Sequence, residues 1–258
     1  MRRIRTAILI ITAWLSTGSA AAGSLTIAAA SDLKFAFAEI VESFRAAHPA
    51  DRVEVIFGSS GKMMTQIANG APFDVYFSAD IAYPRALAAK GLTAGEPTPY
   101  AQGRLVLWSP DHAIATSELQ ALPDLAALRR LAIANPDHAP YGQRAQEALA
   151  GAGVWAALKP KLVLGENIAQ TMKFVDSGAA EAGIVALSLV KAPALQGRGH
   201  WTLIPATAHA PLSQAWVITR RAADNPLAVA FIRHLDSAAS RAVMARYGFE
   251  RPAEPTKP

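Results

Sequence analysis

Leu25-Thr26-Ile27-Ala28-Ala29-Ala30-Ser31-Asp32-Leu33-Lys34-Phe35-Ala36-Phe37-Ala38-Glu39-Ile40-Val41 is the stretch on which the fold turns. Leu25 to Ala29 is a short apolar run with the length of a buried strand, and after Ser31 the apolar spacing changes. Leu33, Phe37, Ile40, Val41 and Phe44 recur at intervals of three and four, which predicts a helix from about Leu33 to Ala47 with one face in a core. A buried strand that feeds an amphipathic helix through a serine is the repeating unit of an α/β protein.

The unit recurs outward from there. Val53 to Phe57 reads as a strand, and Ser59-Ser60-Gly61 leads into a helix carrying Met63, Met64 and Ile67 that stops at Gly70. Val75 to Phe77 is a third strand, and Ser78-Ala79-Asp80 opens another helix. Past a loop at Pro97 and Pro99, Gly103 to Trp108 reads as one strand. Leu131 to Ala134 precedes Pro140-Tyr141-Gly142 and a helix from Gln143 to Ala150. Lys161 to Leu164 precedes Gly165-Glu166-Asn167 and a helix from about Ile168 to Val175. Ala182 to Ala186 and Ala215 to Thr219 are later strands, and one last helix spans Pro226 to Tyr247. The fold class expected is α/β with mostly parallel sheets.

Arg2, Arg3 and Arg5 before an apolar stretch from Ala7 to Leu15, with small residues from Ser16 to Gly23, have the layout of a secretory leader over residues 1–22. The expected location is therefore the periplasm, with a mature start at Gly23. Three leader arginines account for three of the five formal positive charges of the chain, so the mature net charge is +2. No run of basic residues interleaved with aromatics marks a nucleic-acid surface. The chain has no cysteine, which excludes a disulfide framework, a cysteine-ligated metal and a lipid-bearing cysteine. The Pro-rich end from Pro252 to Pro258 has the composition of a disordered tail.

Ligands of open α/β sheets sit beyond the carboxyl ends of strands, where helix N-termini gather. Four such starts, at Ser31, Ser60, Tyr141 and Asn167, define the candidate site. The first N–H groups of a helix lack intrahelical partners and carry the positive end of its dipole, so several together can hold an anion without lysine or arginine. Ser31 and Ser60 add hydroxyl donors; the plainer alternative is that each serine caps its own helix. Gly58 to Met63 fails as a nucleotide-binding loop, which needs glycine in place of Ile56 and serine or threonine in place of Met63. The six histidines lack metal-ligand spacing and read as surface or loop residues, with His138 near the rim of the cleft. No free metal cation, cofactor or catalytic residue is expected.

The blocks Ala28 to Leu33, Phe57 to Gly61, Gly70 to Asp80 and Asn135 to Gly142 resemble the periplasmic molybdate-binding protein family. So do Gly165 to Gln170, Ala182 to Ala186 and Arg246 to Phe249, in the same order over nearly the whole mature chain. The resemblance implies a class II periplasmic-binding-protein fold: a first lobe of residues 23–104 plus 212–258, a second lobe of residues 105–211, and an anion sealed between them. The hinge crossings are expected near Gly103 to Leu107 and Pro211 to Gln214. It also implies ligand contacts from Ser31, the Asp32 N–H, Ser60, Tyr141 and the Ile168 N–H. Some members place a ligand-contacting tyrosine where this chain has Ala186. The Tyr141 hydroxyl is then the expected substitute donor, the alternative being that its ring only packs and its N–H binds.

These readings imply a monomeric receptor for molybdate or tungstate that serves a membrane permease with a cytoplasmic ATPase. A receptor for sulfate or phosphate is the alternative, and a phosphate or sulfate ester hydrolase a more distant one. Molybdate only accepts hydrogen bonds, whereas phosphate also carries a proton and needs an acceptor. Asp32, the one carboxylate close in sequence, is expected to point out of the cleft as a first-turn helix acid.

Overall fold

The computed structural model describes residues 22–252. The expected secretory leader and the Pro-rich tail lie, apart from Ala22 and Pro252, outside the described residues. The chain begins with β1 (Ser24–Ala30), a 3-10 turn (Ser31–Leu33), α1 (Lys34–Ala47), β2 (Arg52–Gly58) and α2 (Ser60–Ala68). It continues with β3 (Val75–Ser78), α3 (Ala82–Ala89) and β4 (Thr98–Gly103). It then leaves for a second sheet through β5 (Leu105–Ser109), α4 (His112–Ala115), β6 (Leu131–Ala134), α5 (Pro140–Gly151) and α6 (Trp155–Leu158). β7 (Leu162–Gly165), α7 (Ile168–Asp176), β8 (Ala182–Ala186), α8 (Leu187–Val190) and β9 (His200–Leu203) complete that part. The return brings β10 (Leu212–Ile218), α9 (Pro226–Leu235) and α10 (Ala238–Arg246).

The strand orders are β2-β1-β3-β10-β4 and β7-β6-β8-β5-β9. In each sheet three strands are parallel, a fourth runs against them, and the fifth pairs antiparallel with the fourth. The parallel character expected from the sequence thus holds within each βα portion, and the sheets as wholes are mixed. The reason is connectivity: parallel neighbours need a crossover, whereas β10 and β5 each arrive directly from the other lobe and lie between two strands that run in the opposite sense. The β1–β2 register runs from Ser24 opposite Arg52 to Ala30 opposite Gly58, so both strands deliver their following helix starts at one edge.

Packing fixes these edges. Phe37, Phe44, Val41 and Ile40 of α1 are buried against Phe77 and Phe231, with Phe37 edge-on to Phe77 at 4.9 Å and Phe44 edge-on to Phe231 at 5.2 Å. Met63, Ile67, Phe73, Tyr76 and Leu87 cover the other face of the first sheet. A separate core around Trp108, Leu131, Ile133, Leu149 and Val185 holds the second sheet. Burying a large apolar side chain contributes about 1.5–3 kcal/mol, so each lobe has the means to keep its loops in place.

Four boundaries differ from the sequence reading. The run Gly103 to Trp108 is two strands in different sheets, divided at Arg104. The loop expected at Pro99 belongs to β4, an edge strand, where proline costs no ladder bond. The final helix breaks at Asp236 and Ser237, where the Ser237 hydroxyl caps α10 by accepting from the Ser240 N–H at 3.2 Å. His200–Leu203 forms an edge strand that the sequence reading left without an element. Among the described residues no helix is long and apolar enough to cross a membrane.

Candidate functional site

The helix starts identified in the sequence meet between the two sheets. Ser31 and Asp32 follow β1, Ser60 opens α2, Tyr141 lies in the first turn of α5, and Ile168 is the first residue of α7. All five are buried and line one cavity of about 10 Å³. That is room on the order of one water-sized sphere. No lysine, arginine or histidine lines it.

The main-chain N–H groups at these starts are deployed unevenly. Asn167 caps α7 by accepting from the N–H of Ala169 at 3.1 Å and of Gln170 at 3.0 Å, and that of Ile168 is left out. In α5 the N-cap carbonyl of Ala139 takes the N–H of Gly142 and Gln143, Pro140 has none, and that of Tyr141 is free. Ser60 is held by its neighbours: its carbonyl accepts from the Tyr76 hydroxyl at 2.6 Å, and its Oγ accepts from the Ala79 N–H at 3.0 Å. That leaves the Ser60 hydroxyl proton to donate. Among the described residues no protein acceptor meets the N–H groups of Ser60, Tyr141 or Ile168. Buried N–H groups are almost always paired, so their gathering from both lobes leaves donors available to an anion.

Ser31 differs from Ser60. Its hydroxyl donates to Asn167 Oδ1 at 3.1 Å and accepts from the Ala169 N–H at 3.2 Å, both on the far side of the cleft.

Asp32 corrects an expectation. Its side chain does not point out of the cleft: the residue is 1 % exposed, and Oδ2 accepts from the Tyr141 hydroxyl at 3.0 Å and from Gln214 Nε2 at 2.6 Å. The 3-10 turn at Ser31–Leu33 delays α1 to Lys34, so Asp32 faces the other lobe and not the solvent side of a helix. Burial pushes its carboxyl up to about 6, against the opposing pull of the Gln214 and Tyr141 bonds. Tyr141 needs a correction too. Its hydroxyl donates to Asp32 and not into the cavity, an arrangement that the expected role as substitute for the tyrosine replaced by Ala186 did not include. Burial raises the Tyr141 phenol well above its usual range, and the Asp32 charge adds to this. Ala186 is buried outside the cavity lining. Gly103 makes room for this cluster, because a Cβ there would collide with the Tyr141 hydroxyl.

The rim holds residues that local sequence patterns left out. Ser59 does not cap α2; its hydroxyl donates to the His138 carbonyl at 2.6 Å and lies 2.8 Å from His138 Nδ1. The Gly61 N–H donates to the same carbonyl at 2.9 Å. Lys62 pairs with Glu166, whose other oxygen is 3.9 Å from His138 Nε2. Burial lowers the His138 pKa, and Glu166 opposes the shift. Elsewhere on the rim Arg144 pairs with Asp80 at 2.7 Å, and Gln143 donates to the Tyr83 hydroxyl at 3.3 Å. Only His138 among these rim residues was singled out by its place in the sequence. Among the described residues no group of three histidine, aspartate or glutamate side chains could hold a metal ion.

Comparison with known proteins places the chain in a family. Residues 25–250 match the model of the bacterial extracellular solute-binding protein family. The chain is 36 % identical over 244 residues to the molybdate-binding protein of Azotobacter vinelandii, covering 94 % of this chain and 96 % of that one. It is 36 % identical over 198 residues to the molybdate-binding protein of Rhodobacter capsulatus, covering 76 % and 77 %. The solved structure of the Azotobacter vinelandii periplasmic molybdate-binding protein superposes with a TM-score of 0.82 at 29 % identity, covering 89 % of this chain and all of that one. The chain therefore belongs to the bacterial extracellular solute-binding proteins and, within them, to the periplasmic molybdate-binding proteins.

Proposed function

We propose that this protein is the periplasmic receptor of an ABC importer and captures molybdate or tungstate between two lobes. The observation that carries the reading is the set of buried main-chain N–H groups at Ser60, Tyr141 and Ile168, which face one cavity without a basic side chain. With the Ser60 hydroxyl, the Asp32 N–H and, once its hydroxyl turns from Asn167, Ser31, they offer a doubly charged oxyanion donors from both sides. A sheltered anion held by dipoles and neutral donors needs no countercharge to move with it.

In this reading residues 23–104 and 212–258 form the first lobe and residues 105–211 the second, with crossings at Gly103 to Leu107 and Pro211 to Gln214. The change of sheet at Arg104 and the return into β10 support these boundaries. Opening about the crossings admits the ligand and closure seals it. The monomeric, leader-processed receptor then delivers the oxyanion to a membrane permease driven by a cytoplasmic ATPase.

Calorimetric competition among molybdate, tungstate, sulfate and phosphate tests the assignment. Molybdate and tungstate are expected to bind at least about a hundredfold more tightly than the other two, a difference of about 2.7 kcal/mol. Tighter binding of phosphate or sulfate would reassign the receptor, and turnover of a chromogenic phosphate ester would make it an enzyme.

A further inference from the structure

We propose that the Asp32 carboxyl is protonated when the lobes are closed and that its Oδ1–H donates to the captured oxyanion, so that capture takes up one proton. The inference rests on the oxyanion-receptor reading and adds a role for the side chain of a residue used there only through its N–H.

Three features of the site converge on it. Both hydrogen bonds to the carboxyl, from Tyr141 and Gln214, enter Oδ2. Oδ1 is buried and has no hydrogen-bond partner in the protein, although the residue lines the anion cavity. Among the described residues no cation balances a carboxylate there: Tyr141 comes from α5, Gln214 from β10, and Ser188 from α8 donates to the Asp32 carbonyl at 2.8 Å. Tyr100 from β4 reaches the cluster by donating to Gln214 Oε1 at 2.6 Å. The N–H groups of Asp32 and Leu33 also favour the charged form, without a hydrogen bond of ordinary geometry to Oδ1.

An ionised Asp32 would place a negative charge beside a dianion in a space this small. A neutral carboxyl avoids that repulsion. With Oδ2 accepting from two donors, the proton belongs on Oδ1, where its acceptor is an oxyanion oxygen. A carboxylic acid kept neutral by its site can serve as such a donor. The proton comes from solvent, no bond of the ligand breaks, and the ligand remains a dianion.

Closure links this to pH. Tyr141 belongs to the second lobe and Gln214 to the returning strand, so the burial that raises the carboxyl to about 6 is a property of the closed form. A bound dianion raises it further, whereas in the open form the group lies near its ordinary value of about 3.9. Protonation thus favours the closed, loaded form. While the ligand is the dianion, affinity falls up to tenfold per pH unit as pH rises toward the raised closed-form pKa, and levels off above it.

Titrating micromolar molybdate into the whole protein at pH 6, in two buffers of different ionisation enthalpy, counts the protons. The expected result is uptake of between half a proton and one proton, declining at higher pH. Asp32→Asn keeps an N–H donor in place of Oδ1–H. It should bind without this uptake, lose the pH dependence relative to the natural protein, and bind about tenfold or more tightly than it at pH 8. Molybdate binding with no uptake from pH 5 to 7 would overturn the proton proposal alone. The same pH profile in Asp32→Asn would also overturn it, because the titrating group would then be the ligand or another residue. Absence of molybdate binding would overturn the receptor reading and this proposal together. The proton count on the natural protein decides the matter even if the variant fails to fold.

Discussion

The two lobes meet in two regions of opposite character. Beside the cavity, Asp32, Tyr141 and Gln214 form a buried seam with no charge pair in it. At the rim, Lys62 with Glu166 is an ion pair about half exposed on each side, and Arg144 with Asp80 is one at 13 % exposure each. Both regions link the same two lobes. In the low-dielectric seam each hydrogen bond made counts and each one unmade is costly, whereas the half-exposed Lys62–Glu166 pair is screened by water and salt, the more buried Arg144–Asp80 pair less so. Selectivity and affinity should therefore reside in the seam and cavity, and the rim should contribute little beyond alignment.

The strongest challenge to that division is steric. A Cβ on Gly61 would lie 2.6 Å from the carbonyl oxygen and 3.1 Å from the Cα of His138, both main-chain atoms that cannot rotate away. Gly61→Ala should therefore hold the lobes apart and lower molybdate affinity by about a hundredfold, the upper part of the 1–3 kcal/mol that overpacking costs. The unliganded protein should lose no thermal stability, since alanine is favoured over glycine in a helix by about 1 kcal/mol. Small-angle scattering with and without molybdate should show compaction in the natural protein and none in the variant. Normal affinity in Gly61→Ala would mean that the bound state leaves this gap open.

Ser60→Ala sharpens the comparison from the cavity side. A charge-assisted hydrogen bond contributes about 1.5–3 kcal/mol, so affinity should fall by roughly ten- to a hundredfold. Stability should change by only about 1 kcal/mol, because the Ala79 N–H loses its acceptor. Calorimetry beside thermal unfolding separates the two effects, and unchanged affinity would remove Ser60 from the site.

Tyr141→Phe tests the seam itself. The hydroxyl serves Asp32 and not the anion, so its loss should cost one seam bond, about 1 kcal/mol or roughly fivefold in affinity. That bond lowers the Asp32 pKa, so its removal should shift the pH profile of binding upward. A hundredfold loss with an unmoved profile would instead place the hydroxyl on the ligand.

How much of this was legible follows from what each contact depends on. The strands before Ser31 and Ser60 and the helices after Tyr141 and Ile168 follow from apolar period and cap chemistry, which are local, and the resemblance then told which starts to combine. The division at Arg104 was hidden because a continuous apolar run looks the same whether or not it changes sheets. His200–Leu203 was hidden because all four residues are exposed and carry no alternation. Asp32 with Tyr141 and Gln214 could not be read, since those partners lie 109 and 182 positions away. The first-turn rule for acids assumed a helix beginning at Ser31. The 3-10 turn removes that premise and turns the carboxyl inward.

The smallest effect is expected at the rim, from Lys62→Ala. Lys62 is 50 % and Glu166 48 % exposed, and pairs of this kind contribute about 0–1 kcal/mol before salt reduces them. Losing the lysine leaves Glu166 facing His138 Nε2 at 3.9 Å. Burial depresses the His138 pKa most, and the Lys62 charge adds to this while Glu166 opposes it, so the variant's His138 takes a proton more readily. At mildly acid pH a charged His138 can then replace the missing lysine as the partner of Glu166 across the same gap. Affinity for molybdate should accordingly drop by less than about twofold at pH 7 and 0.15 M salt, and by less still at pH 5.5. Titrations at both pH values, each with the natural protein as reference, measure this difference. A tenfold loss that persists in 0.5 M salt would show the rim holding the lobes as firmly as the seam does, and the division of labour between them would fail.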